Sequence, residues 1–143
     1  MTDNTTRQEL YAAGLRVRTE VVGQEYVARA IADMSEFARP MQELVTEYCW
    51  GAVWTRPGLD RRTRSMINLA MLTALNRPTE FGTHVRGALT NGVTPDEIQE
   101  VLLQTAIYAG VPAALESFRI AERILAEHSD GRSDDPSDDG AVR

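Results

Sequence analysis

The 143-residue sequence contains no lysine and a single cysteine, so all fifteen of its basic side chains are arginines. Because Cys49 is alone, neither an intrachain disulfide nor a dithiol redox pair can form, which fits a reducing setting. No apolar run approaches the roughly 20 residues that a membrane span needs. The polar N-terminus also lacks the features of a signal peptide. We therefore expect a cytoplasmic protein that does not contact a membrane.

Negative charge dominates the chain as a whole, with a formal net charge of −6 at pH 7. Between Arg56 and Arg86 the balance is reversed, because six arginines occur there with two acidic residues. Nucleic acid binding normally calls for a basic domain, so we expect no nucleic acid partner. A cationic segment within an acidic protein indicates a site for a small anion. Arginine is suited to bidentate binding of carboxylates.

Helix signals are frequent along the chain, and no stretch is typical of a strand. Capping boxes at Thr6–Glu9 and Thr94–Glu97, prolines at helix starts and apolar residues at helical spacing predict an all-α bundle of about six helices. We expect residues 1–128 to form a single helical domain. Residues 129–143 lack an apolar pattern and are rich in Asp, Ser and Gly, which predicts a disordered acidic tail.

Two helices carry apolar patterns that predict burial. In the helix that Pro40 begins, which is expected to run to about Trp54, apolar residues recur at i,i+4 and predict one buried face: Leu44 with Tyr48, and Val45 with Cys49. The helix from Pro95 to Ala109 is apolar on two faces, the second of which includes Leu103 and Ile107. A single core contact does not require two apolar faces, so we expect a homo-oligomer formed through this helix.

Glu80 and His84 are the first candidates for chemistry. They lie four residues apart in the helix that Pro78 begins, so they project from one face. A carboxylate beside an imidazole can fix the ring tautomer and support proton transfer. The alternative is a solvent-exposed pair in which Glu80 only complements the helix dipole. Arg77 lies at the start of this helix, where free backbone amides also favour an anion.

The preceding helix opens with Arg61, Arg62 and Arg64. Cations are mildly unfavourable at a helix N-terminus, which favours a binding role, for Arg61 and Arg62 at least, over a merely solvated face. Farther along this helix, Asn68 lies in an apolar stretch and requires buried hydrogen-bond partners. We find no paired-ligand motif for a metal and no glycine-rich phosphate loop.

Aromatic residues supply a further candidate. Trp50 and Trp54 lie four residues apart, for which core packing is the default interpretation and lining of a planar substrate the alternative. Cys49, next to Trp50, is expected to be a small buried apolar residue.

Several segments together resemble the carboxymuconolactone decarboxylase family. The resemblance covers roughly Glu36 to Glu127, and its most specific parts are the arginine-rich segment Arg56–Arg64 and the motif His-Val-Arg-Gly-Ala at His84–Ala88. It implies a helical scaffold, shared with the alkylhydroperoxidase D-type enzymes, that is usually oligomeric. A trimer or a hexamer is the assembly we expect on this basis.

The related peroxidases carry a Cys-x-x-Cys motif whose second cysteine lies four residues before a histidine. In this sequence the matching positions are Arg77 and Glu80, with the histidine at His84, and the position of their proton-relay glutamate is Ser65. The resemblance therefore implies that this protein is not a thiol peroxidase.

The resemblance implies decarboxylation of 4-carboxymuconolactone to the 3-oxoadipate enol-lactone and CO2, in the protocatechuate branch of the β-ketoadipate pathway, without metal or organic cofactor. A dicarboxylate lactone substrate fits the arginine-rich segment. His84 is then the expected proton donor and Glu80 its orienting partner; the expected substrate-binding residues are Arg77, Arg61, Arg62, Arg64 and Trp50. Two alternatives stay open: another cofactor-free lactone or enol-acid enzyme on this scaffold, and a non-catalytic helical oligomer that binds acids.

Overall fold

The structure is a computed structural model that describes residues 5–133. Within that range all regular secondary structure is helical, which confirms the all-α prediction with one α-helix more than the six expected. The elements, in chain order, are α1 (Arg7–Val22), α2 (Gln24–Ala32), α3 (Arg39–Leu44), a π-helix (Val45–Val53), α4 (Arg61–Ala74), α5 (Pro78–Thr90), α6 (Pro95–Ala109) and α7 (Val111–Ser133). No helix within residues 5–133 is long and apolar enough to cross a membrane.

Both predicted capping boxes are present. At the start of α1 the Thr6 hydroxyl accepts a hydrogen bond of 3.2 Å from the Glu9 backbone amide, and the Glu9 carboxylate accepts one of 2.7 Å from the Thr6 amide. Thr94 and Glu97 make the same reciprocal pair at the start of α6. These bonds satisfy amides that the first turn of a helix leaves without partners, so the local sequence fixes where each helix begins.

The segment predicted as one helix after Pro40 changes its geometry after Leu44. From Val45 to Val53 it is a π-helix, and the Trp54 amide closes it by donating to the Cys49 carbonyl over 3.0 Å. The predicted buried face was wrong: Leu44, Tyr48 and Cys49 are exposed, and the buried residues are Thr46, Glu47, Trp50 and Gly51. The buried residues also recur at i,i+4, Thr46 with Trp50 and Glu47 with Gly51, so the spacing does not decide which face is buried. The face that packs against α1, where Gly14 approaches Thr46 and Gly51, is the buried one.

The described chain divides into two compact units. The first comprises the residues up to Ile67 together with Gly87–Val93, and its apolar core is formed by Val17, Val21, Trp50 and Trp54. In this unit α1 packs closely against the π-helix at Gly14 and Gly51. A Cβ atom at either glycine would collide with backbone of the facing helix, so only glycine permits this approach.

The second unit comprises Asn68–Arg86 and the described residues from Thr94 onward. Its largest fully buried side chains are Leu69, Phe81, Ile98, Leu102, Ile124 and Val85. The buried hydroxyls of Thr73 and Ser117 lie 2.8 Å apart and join α4 to α7 by a hydrogen bond.

The final helix is longer than predicted. α7 continues to Ser133, past the expected end at His128, so residues 129–133 are helical rather than part of a disordered tail. Helix propagation adds a hydrogen bond for each residue fixed, which lets a long helix extend into residues of low propensity. The rest of the predicted tail, residues 134–143, lies outside the described residues.

Candidate active site

A tight turn at Asn76 joins α4 to α5. Its φ of 55° lies in the left-handed region, which asparagine adopts more readily than most residues other than glycine. Pro78 then begins α5, since its fixed φ suits the first helical turn. Asn68 and His84 are each eight residues from Asn76 along the chain. With a rise of about 1.5 Å per residue, two antiparallel helices bring such positions to the same level, about 12 Å from the turn.

Asn68 contacts His84 directly. The Nδ2 atom of Asn68 lies 3.4 Å from Nδ1 of the imidazole, and both side chains are half-buried. An amide nitrogen can only donate a hydrogen bond, so in this orientation of the amide Nδ1 is the acceptor, which suits a neutral ring with its proton on Nε2. The same amide turned by 180° suits a proton on Nδ1, so the orientation of the amide and the tautomer of His84 depend on each other.

The ionisation of His84 is governed by two opposing effects. Burial lowers the pKa of His84 below its ordinary value, and the negative charge of Glu80 raises it by a smaller amount. Glu80, which the sequence predicted as the orienting partner, is exposed and acts on the ring through its charge. His84 is thus mostly neutral near neutral pH. An anionic ligand beside the ring would favour the imidazolium and raise this pKa again.

Arg77 belongs to the same unit as Asn68, Glu80 and His84. It is exposed at the α4–α5 turn, where its Nη1 donates to the Asn76 carbonyl over 3.3 Å. An exposed arginine side chain of this kind can reorient toward an anion.

The other predicted arginines, Arg61, Arg62 and Arg64, lie in the first unit at the start of α4. The Nη2 atom of Arg61 pairs with the Glu20 carboxylate at 2.8 Å, and both side chains are partly exposed. Arg64 donates from Nη2 to the Arg56 carbonyl over 3.2 Å, while its buried Nε finds no acceptor among the described residues.

Trp50 lies in the hydrophobic core, which was the default interpretation from the sequence. Its side chain is buried in the core of the first unit, and its ring centroid lies 4.8 Å from that of Trp54, with the planes tilted by 32°. Aromatic pairs favour such an offset, tilted arrangement over a parallel sandwich.

Ser65 and Cys49 lie in different surroundings. Ser65 is fully buried and accepts a hydrogen bond of 2.9 Å from Nδ2 of Asn91. Cys49 is exposed, contrary to the prediction of a buried residue. Among residues 5–133 no group of three or more His, Cys, Asp or Glu side chains could hold a metal ion.

The α4–α5 hairpin lies within a segment that has known relatives. Residues 39–123 match the family described as the carboxymuconolactone decarboxylase family. The chain belongs to the carboxymuconolactone decarboxylase family. The matched residues include Asn68, Arg77, Glu80 and His84, so the whole hairpin falls inside the matched segment.

Two relatives of the chain are named for different decarboxylase activities. The chain is 40% identical over 129 residues to the nitrosuccinic acid decarboxylase of Metarhizium robertsii, which covers 90% of each chain. It is also 40% identical over 120 residues to the 4-carboxymuconolactone decarboxylase of Acinetobacter baylyi, covering 84% of this chain and 90% of that enzyme. A protein of Paracoccus denitrificans named only by its mass of 15.0 kDa is 33% identical over 120 residues, covering 76% of this chain and 88% of that protein.

Sequence reasoning did not identify the contact between Asn68 and His84. It predicted that Asn68 needs a hydrogen-bond partner and assigned the orienting role to Glu80, which stays a prediction. The sequence did contain a signal for this contact, because Asn68 and His84 are each eight residues from Asn76. In two antiparallel helices joined at Asn76, residues at equal distances from the turn face each other.

Proposed function

We propose that this protein catalyses the cofactor-free decarboxylation of 4-carboxymuconolactone to the 3-oxoadipate enol-lactone and CO2, a step of protocatechuate degradation in the β-ketoadipate pathway. The observation that carries the proposal is the half-buried imidazole of His84, bound at Nδ1, in a chain 40% identical to a 4-carboxymuconolactone decarboxylase. A reducing, cytoplasmic location remains a prediction from the single cysteine.

The chemistry of this substrate explains how a carboxy-lyase works without a cofactor. When the C–C bond to the departing carboxylate breaks, its electron pair flows through the ring double bond onto the lactone carbonyl. The result is an oxyfuran-like dienolate, so the substrate is its own electron sink. The protein must hold the retained carboxylate, stabilise the new oxyanion and deliver one proton to the ring carbon next to the carbonyl.

His84 is the proton donor in this proposal. Burial keeps the free imidazole mostly neutral, and the carboxylates of a bound substrate would favour its charged form, which is the form that donates. Glu80 supports that charge from the same helix face. Thus the arrival of the substrate prepares the acid that finishes the reaction.

Arginines supply the proposed anion contacts. Arg77 is the candidate in the same unit as His84, and its planar guanidinium can bind a carboxylate through two parallel hydrogen bonds. Binding of substrate by Arg61, Arg62 and Arg64, which belong to the other unit, stays a prediction from the sequence, as does a role for Trp50, whose side chain is buried in the core of that unit.

A second candidate substrate is nitrosuccinate, favoured by the 40% identity to the nitrosuccinic acid decarboxylase. Loss of CO2 from the carbon that bears the nitro group leaves the electron pair in a nitronate, which is then protonated on carbon. Both candidates are dicarboxylates that carry their own electron sink. The same demands on the protein follow: binding of the retained carboxylate, stabilisation of a delocalised anion and delivery of one proton.

The assembly we propose is a homo-oligomer, a trimer or a hexamer, formed through α6. Leu103, Ile107 and Tyr108 on α6 and Val111 and Leu115 on α7 are large apolar side chains exposed in the single chain. Exposed large apolar side chains on two helices that follow each other in the chain favour a protein–protein contact there. A second copy of the chain is the partner that the two apolar faces of α6 predict.

We further propose that the protein is not a thiol peroxidase, since Arg77 and Glu80 stand where the dithiol of those enzymes would lie. Two broader alternatives remain as well: another lactone or enol-acid substrate, and binding of acids without catalysis.

A substrate panel tests the proposed function. The purified full-length chain is mixed with enzymatically generated 4-carboxymuconolactone, with nitrosuccinate, or with succinate, a dicarboxylate that lacks an electron sink. CO2 release and product formation are followed. Turnover of the lactone supports the first proposal, and turnover of nitrosuccinate alone supports the second. Binding of all three with no CO2 released would mean that the protein binds acids without decarboxylating them.

A further inference from the structure

The contact between Asn68 and His84 has a property that few side-chain pairs share. An asparagine amide carries a donor and an acceptor at equivalent positions, and a rotation of about 180° about its terminal torsion exchanges them. The neutral imidazole needs a donor at Nδ1, whereas the imidazolium carries a proton there and needs an acceptor. Asn68 is therefore suited to both protonation states of His84 without moving its backbone.

We propose that Asn68 is a positioning residue for His84, whose amide donates to Nδ1 of the neutral ring and, after rotating, accepts from Nδ1–H of the imidazolium. The exchange keeps Nδ1 hydrogen-bonded when the neutral ring, which already carries Nε2–H, takes up its second proton at Nδ1, and after the imidazolium has given the Nε2 proton away. The catalytic consequence rests on the proposed function, because it needs His84 to be the acid. The hydrogen-bond exchange itself does not.

The neutrality of Asn68 matters because of the charges that act on the ring. On α5 the charge of Glu80 raises the pKa of His84, burial lowers it, and from α4 the facing side chain is the uncharged Asn68. An aspartate at position 68 would favour the imidazolium whether or not substrate was bound. A leucine would remove the acceptor that Asn68 offers to Nδ1–H of the imidazolium in a half-buried place, which disfavours the charged form.

A purely structural role for Asn68 makes different predictions. If the amide only fills space between α4 and α5, near-isosteric replacements should change the stability of the fold without altering the tautomer or titration of His84. Those two properties therefore separate positioning from packing.

The test uses nitrogen-15 NMR of the imidazole side chains in the full-length protein, since two-bond couplings identify which ring nitrogen carries the proton. The sequence has two histidines, and the exposed His128 is an internal reference in every spectrum. The variants are Asn68→Asp and Asn68→Leu, both close in size to asparagine. Asn91→Asp is the matched control, because Asn91 is another half-buried amide but binds Ser65 rather than a histidine.

In the wild type we expect the Nε2–H tautomer at His84 above its pKa. Asn68→Asp should raise the His84 pKa by at least one unit, the usual scale of an opposite charge within about 4–6 Å. Asn68→Leu should lower the pKa and allow the Nδ1–H tautomer to appear. The titration of His128 should stay the same throughout, and Asn91→Asp should leave the His84 tautomer unchanged.

An Nδ1–H tautomer in the wild type, or unchanged His84 titration in both Asn68 variants, would overturn the proposal. If one variant does not fold, the other still decides, because the two are expected to shift the pKa in opposite directions.

Turnover then separates this inference from the proposed function. If His84 is the acid, the pH at which kcat is half-maximal should move in the direction of the NMR shift for each Asn68 variant. A shifted titration with an unmoved kcat profile would leave the positioning of His84 standing and remove His84 as the acid.

Discussion

Glu80 and burial act on His84 in opposite directions, and burial is the stronger of the two. The pKa of His84 therefore lies below its ordinary value although a carboxylate is four residues away on the same helix face. Two neighbouring side chains of opposite charge are often assumed to favour their ionised forms. Here burial of the ring outweighs the charge of Glu80. The imidazole is therefore mostly neutral near pH 7 unless a second anion binds beside it.

This balance predicts the pH dependence of turnover. If the charged form of His84 is the acid, kcat/KM should fall as pH rises through a value below about 6.5, the ordinary pKa of histidine. The corresponding fall in kcat should occur at a higher pH, because the carboxylates of the bound substrate raise the pKa of His84 in the complex. Glu80→Gln should move the kcat/KM limb to lower pH, because it removes the charge that raises the pKa. A limb that does not move in Glu80→Gln would contradict this assignment.

The same shift has a consequence for stability. Because the folded pKa of His84 lies below the unfolded value of about 6.5, the neutral ring favours the fold above that pH. This contribution is lost as pH falls through the folded pKa. Kinetic profiles on the acidic side therefore need a parallel measurement of folding by circular dichroism, so that unfolding is not mistaken for titration of the acid.

Cys49 provides a test of redox chemistry. It is exposed and is the single cysteine, so Cys49→Ser should change neither folding nor turnover appreciably. Steady-state assays with and without a reducing agent check this. A loss of more than about tenfold, or about 1.4 kcal/mol in activation free energy, with the fold intact would mean that the thiol takes part in the reaction.

How far the sequence predicts this structure depends on the kind of pattern used. Local signals were accurate: the capping boxes at Thr6 and Thr94 lie where predicted, because they depend on hydrogen bonds within one turn. The buried face of the π-helix Val45–Val53 was missed, because residues at i,i+4 mark more than one face and the packing of α1 at Gly14 decides which one is buried.

At the candidate site, too, interactions within one helix could be predicted and those between helices could not. That Glu80 acts on His84 follows from their spacing within one helix, and its charge raises the pKa of His84 against the larger lowering by burial. That Asn68 binds Nδ1 depends on how α4 faces α5, which is a tertiary relationship. Spacing along one helix does not contain that information.

Assembly can be tested at Ile107, which is 81% exposed on α6. If α6 forms the interface, Ile107→Asp should bury a charge between subunits and dissociate the oligomer, as measured by light scattering at micromolar concentration. Phe37→Asp is the comparison, since Phe37 is 97% exposed but lies outside α6 and α7. A stable 15.9 kDa wild-type monomer would end the proposal, and dissociation by Phe37→Asp alone would place the interface elsewhere.

Arg77 tests the role of the guanidinium. Arg77→Lys keeps the charge but removes the planar pair of donors, so kcat/KM should fall through weaker binding of substrate and transition state together. Arg119→Lys, at an exposed arginine of α7 in the same unit, is the matched control and should leave the kinetics unchanged. Equal kinetics in the two variants would show that no bidentate contact is made at Arg77.

Protonation of the substrate carbon is the step assigned to His84, and turnover in D2O measures it most directly. The wild type should place one deuterium on the ring carbon next to the lactone carbonyl, at one stereochemical face. His84→Ala should bind substrate nearly as well but turn it over about 10²–10⁴-fold more slowly, the usual contribution of a positioned acid. Its product should carry deuterium less selectively, because solvent would then protonate a released dienolate. His128→Ala, at the other histidine, should behave as the wild type. Full activity with unchanged stereoselectivity in His84→Ala would contradict the mechanism and make Glu80 the next candidate for the acid.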